Sequence, residues 1–219
     1  MSKQKIYNFL RDLTANNSKE WMDQNRKYYL EAKEIWLDQI SLILKRLSIH
    51  DPKMGQLEPK KTIMRINTNR RFHPDKPIYK DNFAFSPSTM NEAAFYIHIS
   101  PKETFIGGGF HNPDNTILKK IRDAIDYDGD QFKKIIASKE FQDFYGGLPE
   151  DPNQLKTSPR GFSEDHKHID LLNRKSFTGI KPLTQKEFLS DNFIDLVEQS
   201  FVTIQPFNAY LQKAVDFEN

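Results

Sequence analysis

Apolar residues recur at helical spacing near the beginning of the chain. Between positions 6 and 13 they lie three or four residues apart, which predicts a short amphipathic helix. Asn16 and Asn17 end this helix, because their side chains compete with the backbone for hydrogen bonds. Asn17 or Ser18 then caps a longer helix, whose apolar period continues to about Leu47.

In the middle third the period changes from helical spacing to alternation. Residues 62–67 and 94–100 alternate between the two faces of a strand, and 83–85 is a short candidate strand. Residues 104–110 return after a turn, which predicts a hairpin. Because no helix separates these strands, the pattern favours an antiparallel sheet over a βαβ sheet.

The last half returns to helical spacing after Asn112-Pro113-Asp114, a typical helix start. The further predicted elements are helices at 131–137 and 140–145, an irregular stretch at 146–167, a strand at 175–180, and a final helix at 191–214 interrupted by Pro206. The predicted fold class is therefore α+β, with a central antiparallel sheet packed with N-terminal and C-terminal helices. We expect one domain spanning residues 1–219.

Composition excludes several classes of protein. The chain has 219 residues with 17 Phe and 8 Tyr, which supply enough aromatic area for a packed core. It contains no cysteine, so thiolate catalysis, disulfides and iron–sulfur ligation are excluded. No apolar run has the length of a membrane span, and the beginning lacks the pattern of a secretory signal. We therefore expect a cytoplasmic protein that does not associate with membranes.

Charge is unevenly distributed, although the formal net charge is only +2. Positions 59–80 hold seven cationic residues and one acid, so this window carries +6 and the rest of the chain −4. Lysine and arginine side chains bind phosphate and carboxylate groups, arginine through a planar fork. The candidate ligand-binding residues of this window are Arg65, Arg71, Lys76 and Lys80, with Tyr79 as a hydroxyl donor. The alternative is a solvated loop whose cations pair with surface acids.

A second candidate feature is the run Gly107, Gly108 and Gly109 at the end of a predicted strand. Glycines there let another backbone, or a phosphate, approach closely, and a helix start follows soon after. The run matches neither a Walker loop nor the Gly-x-Gly-x-x-Gly pattern. A β-bulge or a tight exit from the sheet is the alternative interpretation.

The third candidate is the segment from Pro159 to Asp170. A Pro-Arg-Gly turn aims the side chain of Arg160, and His166 could act as an acid or a base near neutral pH. Alternatively Asp165, His166 and Asp170 cap and orient the following helix, which is the interpretation we favour.

Histidine spacing does not indicate a metal site. His166 and His168 lie two apart, and His98 and His111 lie on or near the hairpin, but no recognised ligand motif is present. No serine or threonine lies in a nucleophile motif such as Gly-x-Ser-x-Gly. We therefore predict neither a metal nor a cofactor, and the sequence identifies no catalytic residue.

Several separated motifs occur together in a fixed order. They are Phe9-Leu10, Leu13, Asn16-Asn17, Lys19-Glu20-Trp21, Asn25-Arg26, Tyr29, Arg65-Ile66, Arg71-Phe72, Asp75-Lys76, Tyr79-Lys80, Gly107-Gly108-Gly109, Pro113, Pro159-Arg160-Gly161-Phe162, Asp165-His166, Asp170-Leu171-Leu172 and Lys175. In these the chain resembles, over nearly its whole length, the bacterial and fungal family named domain of unknown function 2461. It departs from that family at Thr68-Asn69, where an Arg-Asp pair is usual. It also departs at Pro77-Ile78, since the family usually has proline directly before the tyrosine. The resemblance implies no activity, cofactor or catalytic residue.

Three functions are compatible with these features. The first is binding of a small phosphorylated or carboxylated ligand, with Arg71, Lys80 and Arg160 converging near the exit of the strand at 104–109. The second is nucleic-acid binding, favoured by aromatic Phe72 and Tyr79 among the cations but opposed by the near-neutral total charge. The third is a protein-interaction or scaffold role without catalysis. The sequence does not decide the oligomeric state.

Overall fold

The computed structural model describes residues 2–71, 74–89 and 91–217. The helices of these residues are α1 (Gln4–Ala15), α2 (Lys19–Gln24), α3 (Arg26–Leu47), α4 (Pro59–Thr62), α5 (Asn115–Ile136), α6 (Lys139–Tyr145), α7 (Ile169–Leu172), α8 (Gln185–Leu189) and α9 (Phe193–Asp216). The strands are β1 (Phe83–Phe85), β2 (Ala94–Ile99), β3 (Thr104–Phe110) and β4 (Phe177–Leu183), and a 3-10 helix spans Pro52–Gln56.

The four strands form one antiparallel sheet in the order β1-β2-β3-β4. In the β1–β2 pair, Phe83 lies opposite Ile99 and Phe85 lies opposite Ile97, and all four side chains are buried. The strict alternation of β2 explains why its bounds could be predicted from the sequence. The turn that precedes β3 explains why its start could be predicted too. Helices pack on the sheet, so the predicted α+β class is confirmed.

The predicted strand at 62–67 is wrong. Pro59 begins the helical turn α4 instead, because its fixed φ and missing N–H suit the first position of a helix. Beyond that turn the segment contributes only isolated bridges, in which Ile63 pairs with Phe85 and Asn67 pairs with Tyr79.

The long second helix that was predicted is divided. Ser18 is its N-cap, as expected, and its hydroxyl accepts a hydrogen bond from the Trp21 N–H over 3.1 Å. At Asn25 the backbone leaves helical geometry, and the side-chain amide of this residue donates to the carbonyl of Trp21. The apolar period continues across this break, so the sequence pattern does not reveal it.

By its contacts the chain divides into two compact units. Unit 1 comprises Met1–Pro87, Tyr96–Ile106 and Pro182–Gln199, and unit 2 comprises Ser88–Phe95, Gly107–Lys181 and Ser200–Asn219. In the core of unit 1 the rings of Phe9 and Phe83 stack with centroids 6.0 Å apart. In unit 2 the ring of Phe132 lies 5.4 Å from that of Phe207. The expected single domain stays a prediction.

Among the described residues, no helix has both the length and the apolar character that crossing a membrane requires.

Candidate functional site

The predicted cationic stretch folds back on itself in unit 1. Backbone hydrogen bonds of 3.0 and 2.7 Å join residues 66–68 to residues 78–80, on either side of the Asn67–Tyr79 bridge. We call residues 65–71 and 74–80 the cationic ribbon. The pairing brings its two ends together although they are more than ten positions apart in the sequence.

Asn17 holds the base of the cationic ribbon from a distance of 62 residues along the chain. Its side-chain amide donates to the carbonyl of Tyr79 over 2.8 Å, and its side-chain oxygen accepts from the Tyr79 N–H over 3.0 Å. One amide thus satisfies both backbone groups of Tyr79, as a neighbouring strand would. The Tyr79 side chain itself is only 8% exposed, so its role as a hydroxyl donor stays a prediction.

Most cations of the ribbon face solvent. Arg65, Arg71 and Lys76 are exposed and Lys80 is half-buried. No carboxylate of a described residue pairs with Arg65, Lys76 or Lys80, whereas Arg71 interacts with another group. Three of the four predicted cations therefore do not belong to an ion network among the described residues.

Phe72 was expected to place an aromatic ring among these cations. It lies outside the described residues.

The three glycines of β3 lie in unit 2, where all three are buried. A Cβ atom on Gly107 would lie 2.3 Å from the carbonyl oxygen of Gly179 in β4, and one on Gly109 would lie 2.0 Å from that of Phe177. A Cβ on Gly108 would lie 2.6 Å from the carbonyl oxygen of Ala94 in β2 and 3.0 Å from a side-chain atom of Ile204 in α9. Glycine is thus required here by the close approach of β2, β4 and α9. Contact with a ligand at these positions stays a prediction.

Arg160 and His166 also lie in unit 2. Arg160 is exposed in a turn where the Phe162 N–H donates to the Pro159 carbonyl over 3.1 Å, and no carboxylate of a described residue pairs with it. The Nδ1 atom of His166 accepts from the backbone N–H of His168 over 3.1 Å. Neutral His166 therefore carries its proton on Nε2 and donates it to the Asp126 carboxylate over 2.9 Å.

The N-cap residue of α7 is His168, and its side chain makes no cap hydrogen bond, so the favoured capping interpretation is not supported for the side chains of Asp165, His166 and Asp170. The start of α7 is contacted by the backbone of His166. Its backbone carbonyl accepts from the Ile169 N–H over 2.9 Å, at the first residue of α7. Its ring orients the preceding turn through the bond to His168. These contacts give His166 a structural role within unit 2 and do not require a ligand.

The predicted site residues thus divide between the two units. Arg65, Arg71, Lys76, Tyr79 and Lys80 lie in unit 1, whereas Gly107, Gly108, Gly109, Arg160 and His166 lie in unit 2. The convergence of Arg71 and Lys80 with Arg160 joins residues of different units and stays a prediction.

The sequence did not reveal an aromatic cluster on β2 and β3 in unit 1. The rings of His98 and Phe105 stack with centroids 4.9 Å apart and an interplanar angle of 5°, and Tyr96 lies 6.3 Å from His98. All three side chains are half-buried, whereas Ile97 and Ile99 between them are fully buried. Burial lowers the pKa of His98, against the effects of Glu103 and Asp81, so the ring is neutral at pH 7. Alternation along β2 places Tyr96 and His98 on the same face. Phe105 lies on β3, so its position beside them depends on how the two strands pair.

Two open depressions mark the surface of the described chain. Residues 185–190 line one of them and residues 209–217 line the other. Neither contains a predicted site residue. Arg65, Arg71 and Lys76 of the cationic ribbon are exposed at the surface.

Comparison with known proteins identifies one relationship. The model of a family described as "Conserved hypothetical protein (DUF2461)" matches residues 5–210 of the chain. No curated protein and no solved structure matches it significantly.

Proposed function

We propose that this chain, which belongs to the DUF2461 family, binds a small phosphorylated or carboxylated ligand through the cationic ribbon. The observation that supports this most directly is that Arg65, Lys76 and Lys80 pair with no carboxylate of a described residue. They lie on a ribbon that Asn17 holds in place.

The arrangement favours an anion for a physical reason. The backbone of residue 66 pairs with that of residue 80, so the strand ends that carry Arg65 and Lys80 are neighbours. Like charges on neighbouring segments repel each other, and a bound anion relieves that repulsion. Hydrogen bonds between charged donors and phosphate or carboxylate oxygens are roughly twice as strong as neutral ones. Because the ribbon is open to water, each contact contributes only about 0.2–1 kcal/mol, so several cations must act together.

The proposed ligand contacts on the ribbon are Arg65, Arg71, Lys76, Tyr79 and Lys80. Within unit 2, we propose separately that Gly107, Gly108, Gly109, Arg160 and His166 contact a ligand. Among these, Arg160 has the best support, because it is an exposed cation on a turn of fixed geometry.

Calorimetric titration with inorganic phosphate and with citrate tests the proposal. The triple variant Arg65→Gln, Lys76→Gln, Lys80→Gln removes three of the ribbon's positive charges. At about 0.5 kcal/mol per contact, its affinity should fall about tenfold. The matched control is Lys27→Gln, Lys134→Gln, Lys186→Gln, which removes three exposed lysines elsewhere. Equal losses in both variants, or no binding by the natural chain, would contradict the proposal.

Nucleic-acid binding is the second candidate, because the cations lie on an open ribbon and a cluster of three rings lies in the same unit. Phosphate contacts together with ring stacking are how proteins bind single strands. Anisotropy titrations of labelled single-stranded and double-stranded oligonucleotides at several salt concentrations distinguish the two functions. A steep decrease in affinity with salt, lost in the triple variant, would favour nucleic acid. Binding of phosphate without binding of oligonucleotides favours the small ligand.

A further inference from the structure

His168 is a buried imidazole that fits a notch in helix α5. It is 1% exposed, and its ring lies against Gly129. A Cβ atom on Gly129 would lie 2.4 Å from Cδ2 and 2.8 Å from Nε2 of the ring. The neighbouring Asp128 departs from helical geometry, with φ −137° and ψ 39°. The ring therefore packs where the helix is both kinked and free of a side chain.

Both ring nitrogens of His168 are buried, and neither makes a hydrogen bond to any described residue. The nearest acceptor is Asp130, whose Oδ1 atom lies 3.5 Å from Nε2. That separation is longer than an ordinary N–H···O hydrogen bond. A buried imidazole without partners is tolerated when neutral, but a second proton would place an unsolvated charge in the interior.

The charges around His168 come from α5 and from the segment that carries the ring. On α5, Lys133 opposes protonation and Asp130 favours it. On the segment itself, Lys167 and His166 oppose it, and Lys167 occupies Oδ2 of Asp130 at 2.9 Å. Burial is the largest influence and Lys133 the second, so the pKa of His168 lies below its ordinary value.

The remaining groups nearby are already paired. Asp126 accepts from His166, and Asp170 lies 3.2 Å from Lys133. From α9, the hydroxyl of Tyr210 donates to the carbonyl of Asp128 at the kink over 3.2 Å. None of these groups offers an additional negative charge to a protonated His168.

We propose that residues 163–172, which we call the latch, are a pH-sensitive element that is docked on α5 while His168 is neutral and released when it is protonated. The docked state excludes the proton, whereas the released state exposes the ring to water. The released state therefore binds more protons, and acid favours it. The latch contains His166, so its release would move that residue. The inference is independent of whether the ribbon binds an anion.

The sign and the size of the effect follow from proton linkage. Above the ordinary histidine pKa of about 6.5, neither state is protonated at this ring, and the latch stays docked. Between that value and the lower pKa of the docked state, each pH unit shifts the ratio of released to docked molecules by up to about tenfold.

Hydrogen exchange of the full chain, measured by mass spectrometry, tests the latch. Within it the backbone N–H groups of Ile169, Leu171 and Leu172 donate hydrogen bonds. After correction for the intrinsic exchange rate, their protection should fall by up to about tenfold between about pH 7.5 and about pH 5.5. Helix α3, which belongs to unit 1, serves as the internal reference and should keep its protection.

His168→Phe keeps a ring of similar size and removes the titration, so protection of the latch should become independent of pH. His111→Gln, an exposed histidine of the same unit outside the latch, is the matched control and should behave like the natural chain. If His168→Phe does not fold, an NMR titration of the natural chain takes its place, with the His168 ring expected to titrate below the ordinary histidine range. Three results would overturn the proposal. The His168 ring could titrate in the ordinary histidine range, or protection of the latch in the natural chain could stay constant with pH. The third is a pH effect that His166→Gln abolishes and His168→Phe does not.

Discussion

The side chain of Asn17 makes two hydrogen bonds to the backbone of Tyr79, one as donor and one as acceptor. Asn17 lies between α1 and α2, and Tyr79 lies at the base of the cationic ribbon. The geometry of the proposed binding segment therefore depends on a residue 62 positions away in sequence.

Removing this amide should destabilise the chain. Asn17→Ala leaves the N–H and the carbonyl of Tyr79 without protein partners, at a cost of about 1–3 kcal/mol. Urea unfolding followed by circular dichroism measures the difference. Asn16→Ala is the control, because Asn16 is exposed and its side chain bonds only to the carbonyl of Asp12. We expect this control to change stability by no more than about 0.5 kcal/mol. Equal effects of the two variants would show that the Asn17–Tyr79 hydrogen bonds do not stabilise the chain.

The notch at Gly129 gives a second prediction. Alanine usually stabilises a helix relative to glycine by about 1 kcal/mol, but here its Cβ would overlap the His168 ring. Overpacking of this kind costs about 1–3 kcal/mol, so Gly129→Ala should have lower stability. His168→Ala removes the obstacle, and adding Gly129→Ala to it should then be neutral or stabilising. A double-mutant cycle by urea unfolding measures this coupling, and additive effects would rule it out.

Asp151 should give a stability contribution that depends on pH. Its carboxylate accepts from the N–H groups of Lys175 and Ser176 over 2.6 and 2.9 Å, and it is 7% exposed. Burial alone would raise the pKa of Asp151, but these bonds, a third from Asn153, and nearby Arg174 together lower it.

Because the folded pKa is depressed, this contribution is present above the unfolded value of about 3.9 and is lost as pH falls through the folded value. Asp151→Asn should therefore cost about 1–3 kcal/mol at neutral pH and less at about pH 3. Unfolding measured at both pH values checks this difference. Glu150→Gln, an exposed neighbour, should show no comparable dependence. A constant cost for Asp151→Asn would contradict the assignment.

Two tyrosines of unit 2 provide a contrast in burial. The hydroxyl of Tyr145 donates to the carbonyl of Ser200 over 2.9 Å and lies 2.7 Å from its Oγ, whereas Tyr127 is 92% exposed. Tyr145→Phe should lower stability by about 1–2 kcal/mol, because buried acceptors lose their donor. Tyr127→Phe should change stability by no more than about 0.5 kcal/mol. Thermal unfolding of both variants measures the difference between their losses of stability. Equal losses would show that the Tyr145–Ser200 bond is absent in solution.

Local patterns predicted much of the fold. The alternation in β2 and the turn before β3 predicted the hairpin closely, and helical spacing predicted α1. At Asn25 and at residues 62–67 the pattern failed, because a cap and a proline override a period that continues through them.

Less of the candidate site could be predicted, because its determinants are distant in sequence. The sequence indicated Asn17 only as the end of a helix, since its pairing with Tyr79 requires the folded chain. His168 gave no signal of burial, because a histidine two positions after another suggests a surface pair. Charge counting did identify the cationic window, in which Arg65 and Lys76 are exposed and Lys80 is half-buried.

The glycines of β3 also affect how relatives should be compared. Any relative that keeps the spacing of β3 from β2, β4 and α9 must keep residues without a Cβ at Gly107, Gly108 and Gly109. If all members of a family have glycine at these three positions, the geometry of the sheet is a sufficient reason. Glycine at these positions would therefore not be evidence for ligand binding. Evolutionary evidence for a binding function should instead be sought at Arg65, Lys76 and Arg160, because no packing constraint in the fold requires a cation at those exposed positions.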